Sequence, residues 1–272
     1  MIAPGLETRP PCEADPGLQR SSADRVTLLA ASHGTSDPNG RSAVSALVDA
    51  VAAALPSVPV VAGFVDVQQP DVPSSIDAID ADRPIILVPL LLSAGYHVHV
   101  DLAQAAAAAP GDRVHVTGAL GPDRRLAQIL AERLRAVGLR ESDRLVLAAA
   151  GSSDSNAVDD CRRMVGHLEE QLGRPVAVGF LSAAAPRLAA AVAGEREAHP
   201  GARVIVASYL LAPGYFADLA TAAGGDVTTE PLLIAGEAPD PLLIDVVVDL
   251  FAAGAAQVTG MFPTPNVALR EA

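Results

Sequence analysis

His33, Asp66 and His97 each follow a short apolar run, and they stand 33 and 31 residues apart. Those intervals are close to the ~30 residues of one strand–helix–strand unit. Crossovers of that length are right-handed, so the strands run parallel and the three side chains gather at one end of the sheet. Two imidazoles and one carboxylate make a common donor set for a divalent transition metal, with coordination positions left open. Imidazole also accepts protons near neutral pH. Asp66 suits an ordinary strand-end turn equally well, and both readings stand at this point. His99 lies two residues past His97 and is not expected to be a ligand, the cleft being one direction open to it. His115, His167 and His199 have no partners in the pattern and are taken as structural or solvated.

The elements that must position these residues follow from the apolar pattern. Ile85 to Asp101 reads IILVPLLLSAGYHVHVD. It begins as a strand buried on both faces, turns at Ser-Ala-Gly, and ends at Asp101, which is expected to cap a helix. Val26–Ala31 predicts the first strand, with SHGTSDPNG as the loop behind it. Arg41–Leu55 carries Val44, Leu47, Val48 and Val51 at helical spacing. Val58–Asp66 predicts the second strand, and Arg113–Leu120 the fourth. Leu126, Ile129, Leu130 and Leu134 mark the helix that follows Pro122. The fold class is therefore α/β, with ligands expected beyond the carboxyl ends of the central strands.

The order then starts again. RLVLAAA before GSSDSN answers VTLLAAS before HGTSDPN, and Phe180 and Pro186 answer Phe64 and Pro70. SYLLAPGYFADLA echoes PLLLSAGYHVHVDLA. The expectation is two duplicated doubly wound domains, each with a four-stranded parallel sheet, facing each other across a cleft. A leader over 1–24, domains over 25–140 and 141–256, and a tail over 257–272 complete the division. In the second copy Ala150, Ser182 and Phe216 replace His33, Asp66 and His97. All three donors are lost together, and Phe216 is expected to fill space beside a substrate or at the interface.

Composition narrows the functions. All nineteen basic residues are arginine, which excludes lysine Schiff-base chemistry and the lysine of a phosphate-binding P-loop. A net charge of −13 argues against nucleic acid or anionic membrane as partner. No signal-peptide pattern opens the chain and no apolar run of membrane-spanning length is expected, so the expected location is cytoplasmic. Cys12 and Cys161 form neither a disulfide framework nor a zinc motif.

LLAASHGTSDPNGR, GFVDVQQP and VPLLLSAGYHVHVDLA resemble the sirohydrochlorin chelatase branch of the class II tetrapyrrole chelatases, in its long, duplicated form. The similarity spans roughly Val26 to Gly254. The family's motif positions fall on His33, Asp66 and His97, with Asp101 as the closing aspartate; the family usually carries glutamate where this chain has Asp66. The resemblance implies ATP-independent insertion of Fe2+ or Co2+ into sirohydrochlorin, leading to siroheme or cobalamin. It implies a monomer whose duplication replaces a homodimer, and no cofactor beyond the metal substrate. His33 and His97 are the expected catalytic groups, and His33, Asp66 and His97 the metal donors. Ser93, Gly95 and Tyr96 are expected against the substrate, and Arg41, Arg83, Arg124 and Arg187 are candidates for its carboxylates. Two alternatives remain open: a phosphohydrolase with a strand-end histidine as phosphate acceptor, where Ser32 stands in place of the required arginine, and a non-catalytic metal carrier.

Overall fold

The computed structural model describes residues 26–93, 95 and 100–259. The expected leader, nearly all of the tail, and Tyr96, His97 and His99 lie outside the described residues. The first sheet contains β1 (Thr27–Ser32), β2 (Val60–Phe64), β3 (Ile85–Pro89) and β4 (Val114–Val116), in the order β2-β1-β3-β4. The second contains β5 (Arg144–Ala149), β6 (Ala177–Phe180), β7 (Val204–Tyr209) and β8 (Val227–Thr228), in the order β6-β5-β7-β8. Every pairing is parallel. The two sheets repeat one topology.

The central strands are buried on both faces. Leu28, Ala30, Ile86 and Val88 face one core, while Leu29, Ala31, Ile85 and Leu87 face another. Such strands read as continuous apolar runs rather than alternating ones. Among the described residues the α-helices are α1 (Pro38–Ala54), α2 (Val72–Asp77), α3 (Leu102–Ala108), α4 (Arg124–Ala136), α5 (Ser155–Leu172), α6 (Leu188–Ala198), α7 (Tyr215–Thr221) and α8 (Pro241–Thr259). Residues of α1, α4, α5 and α8 share one core with the inner faces of both sheets. Leu102 of α3 and Ile76 of α2 cover the outer face of the first sheet, while Leu188 and Val192 of α6 and Ala220 of α7 cover that of the second.

The fourth helix of each repeat crosses to the other repeat. Helix α4 packs on β7, and α8 packs on β3 and β4. Gly254 permits this crossing, since a Cβ there would lie 2.7 Å from Ile86 Cγ2. Arg125 of α4 ties to Asp249 of α8 at 2.6 Å. Pro241–Val258 has a mean hydropathy of 1.7, and 33% of it is buried, on the face turned to the first sheet and to α1 and α4. Leu243, Val246, Val247 and Phe251 spend that apolar surface on the shared core. The sequence expectation of no apolar run of spanning length is corrected here, because α8 has both length and composition for one.

A second correction concerns Asp101. Its backbone is already helical, with φ −68° and ψ −46°, and its side chain does not cap α3. A capping residue needs an extended ψ to turn its oxygen onto the first free amides. Asp37 and Asp154 have that geometry. They cap α1 and α5 through bonds to the amides of Gly40 (2.8 Å) and Asn156 (2.9 Å).

Candidate metal and substrate site

Strand β1 is followed by β2 on one side and β3 on the other, so the chain reverses its direction of winding between β1 and β3. The crevice beyond that pair is where sheets of this kind bind ligands. His33 emerges there, exposed, one residue past β1. Asp66 emerges two residues past β2. Its amide donates to the carbonyl of His33 at 3.0 Å, and the amide of Val65 donates to Ser32 at 2.9 Å. The parallel ladder thus continues past the strands and locks the two candidate donors' backbones side by side.

Gly34 makes this approach possible. It adopts φ +89°, and a Cβ would stand 2.2 Å from the Asp66 carbonyl oxygen. No other residue type fits without moving the loop. Gln68 adds a second tie, accepting from the Thr35 amide at 2.8 Å. The carboxylate of Asp66 is exposed, and its Oδ1 accepts from the Val67 amide at 2.7 Å. One carboxylate oxygen is therefore oriented from within the turn.

The second half repeats the frame without the donors. Ser182 donates its amide to Ala150 at 2.8 Å, and Gly151 at φ +87° would place a Cβ 2.0 Å from the Ser182 carbonyl. Val67 and Ala183 share positive φ values of 62° and 51°. The two loops share these backbone features, while His33 becomes Ala150 and Asp66 becomes Ser182. Among the described residues no three His, Cys, Asp or Glu side chains gather as a metal site. His97, the third expected donor, lies outside them.

A cleft of about 760 Å³ runs between the halves. Its walls include His33, Gly34 and Thr35 with Leu90–Ser93 from the first half, and Ala150–Ser153 with Leu210–Phe216 from the second. Of the three residues expected against the substrate, Ser93 and Gly95 line this cleft, and Tyr96 lies outside the described residues. The halves clasp each other around it. The buried Tyr209 hydroxyl donates to the Leu92 carbonyl at 2.9 Å. Gly40 lies so close to the second half that a Cβ would stand 2.5 Å from the Pro213 carbonyl. The N-termini of α1 and α5 open toward the same region, each already answered by its own capping carboxylate, Asp37 or Asp154.

Of the four candidate arginines, Arg41 is tied to the cleft-lining Thr35, its Nε donating to the Thr35 carbonyl at 2.8 Å. Arg83 pairs instead with Asp80, and Arg124 with Glu170 at 2.6 Å. Arg187 begins α6 beyond β6. Cys161 also lines the cleft, where burial pushes its thiol up to about 11. It is a packing residue rather than a thiolate donor. Sequence reasoning missed Gln68 and Tyr209. The first carries a polar side chain in a strand-end loop, a weak signal, and the second was hidden inside an apolar strand.

Comparison with known proteins adds ancestry to this geometry. The CbiX family model matches residues 27–137 and 144–221. A sirohydrochlorin cobaltochelatase of Sulfurisphaera tokodaii is 33% identical over 84 residues, which cover 30% of this chain and 69% of the relative. Among solved structures, SirB from Bacillus subtilis with Fe3+ superposes with a TM-score of 0.70 at 22% identity, covering 88% of this chain and 98% of that one. The sirohydrochlorin chelatase SirB of Bacillus subtilis subspecies spizizenii, in complex with cobalt, gives a TM-score of 0.66 at 18% identity, with the same coverage. At those identities the structures speak for the fold.

Proposed function

The chain belongs to the CbiX family, and from that premise we propose that it is a lyase-class chelatase that inserts Fe2+ or Co2+ into sirohydrochlorin without ATP. The observation that carries the reading is the locked pair of strand-end loops of His33 and Asp66, from which His33, Val67 and Gln68 line the inter-half cleft. A chelatase has to hold a weakly ligated ion beside a flat macrocycle and take up two pyrrole protons. His33 and His97 supply imidazoles for both tasks, and Asp66 supplies charge or orients a histidine. Ser93, Gly95 and Tyr96 contact the macrocycle from the loop after β3. Arg41, tied to the cleft-lining Thr35, answers its carboxylates.

On this reading the enzyme is a cytoplasmic monomer, its duplication standing in for a second subunit. The test mixes purified protein, free-base sirohydrochlorin and Co2+ or Fe2+ in the absence of ATP. Catalysed loss of the free-base absorption spectrum is expected. Metal bound at stoichiometric levels with no acceleration of insertion would leave a carrier and defeat the chelatase reading.

A further inference from the structure

The chain has three tyrosines, five phenylalanines and no tryptophan. Phe180, Phe251 and Tyr209 are buried. Tyr215 and Phe216, by contrast, are 71% and 37% exposed, and both line the cleft. Their rings meet edge to face, with centroids 5.7 Å apart and planes at 63°. They open α7, at the position where the first half carries Tyr96 and His97. The backbone just before them touches the loop of His33: a Cβ on Gly214 would lie 3.3 Å from Thr35 Oγ1 and 3.6 Å from Asp37 Cβ.

An exposed aromatic pair leaves apolar surface in water, and a flat conjugated partner can cover it by stacking. Resting on the chelatase reading, we propose that Tyr215 and Phe216 form the stacking face for the macrocycle. The second half, having lost the donors, holds the ring against them while the first half delivers the metal. Neither buried interface filler nor vestigial loop describes residues this exposed on a cleft wall. The occupant is a flat conjugated ring rather than a second protein, because the pair sits inside the cleft beside the loop of His33.

The test measures binding of metal-free sirohydrochlorin by its own fluorescence, and binding of Co2+ to the protein by visible absorption. Tyr215→Ala and Phe216→Ala should each weaken macrocycle binding by about twofold to tenfold. Tyr215→Phe and Phe216→Tyr, which keep the rings, should bind as the parent does, and Co2+ affinity should stay unchanged in all four. Alanine variants that bind the macrocycle as tightly as the parent would overturn the proposal. So would variants that lose Co2+ binding instead, or that change only the oligomeric state. A parent protein that fails to bind the macrocycle at all would defeat the chelatase reading and this inference with it; an active parent with indifferent alanine variants defeats this inference alone.

Discussion

The amide of Asp66 donates to the carbonyl of His33 at 3.0 Å, and the equivalent bond in the other half, from Ser182 to Ala150, measures 2.8 Å. One backbone device therefore supports two side chains able to do chemistry in one half and two unable to do it in the other. Comparing the halves separates what the frame requires from what the reaction requires.

Gly34 and Gly151 make that separation measurable. Each has positive φ, and each would drive a Cβ into the carbonyl of the facing loop. Gly34→Ala and Gly151→Ala should both destabilise the fold, by roughly 1–3 kcal/mol. Urea unfolding checks this. At temperatures where both stay folded, Gly34→Ala should lose much more insertion activity than Gly151→Ala, because only the first displaces His33 relative to Asp66.

Asp66 tests the donor set. Asp66→Ala should slow insertion by roughly tenfold, the scale of a group that orients a ligand. Asp66→Glu should preserve or raise the rate if the carboxylate meets the metal directly. The check is the initial rate of Co2+ insertion at saturating sirohydrochlorin. A glutamate variant as slow as the alanine variant would assign the carboxylate's effect to the turn it makes with Val67.

Cys161 should be inert. Burial raises its thiol to about 11, so at pH 8 it is almost entirely protonated as well as shielded. In a Cys12→Ser background, the native protein should react with a thiol reagent only after addition of denaturant. Fast modification of the native state would show that the cleft opens at Cys161.

Asp143 should give the fold a pH-dependent tie. It is 1% exposed and accepts from Arg203 Nη2 at 2.6 Å and from the Arg140 amide at 2.8 Å. Its bonds to Arg203 hold its carboxyl below the ordinary range. A depressed folded-state value means the stabilisation is present above the unfolded-state value and vanishes as pH falls through the folded one. Asp143→Ala should lower the melting temperature by several degrees at pH 7. The gap between variant and parent should shrink below about pH 4. A gap independent of pH would assign the residue a packing role.

Much of this was legible in the residues. The strands announced themselves because parallel strands buried on both faces are apolar throughout, and the repeat was visible because Phe64 and Pro70 recur as Phe180 and Pro186. The loss of His33 and Asp66 from the second copy was visible for the same reason. The exchange of α4 and α8 between sheets was not legible. An amphipathic helix shows that it has an apolar face and not which sheet that face meets. Asp101 failed as a cap because the helical conformation begins before it, which no residue pattern nearby announces. The Tyr209–Leu92 tie joins positions 117 residues apart, and a tyrosine in an apolar strand gives no hint of a partner across the molecule.

The central claim is that His33 and His97 of the first half carry metal insertion. Its most direct test is the initial rate of ATP-free Co2+ insertion into sirohydrochlorin by the parent protein, His33→Ala, His97→Ala and His99→Ala, with folding verified by circular dichroism. The two proposed ligands should each cost about a hundredfold or more, while His99→Ala keeps substantial activity. A His33→Ala or His97→Ala protein that inserts metal at the parent rate would contradict the account.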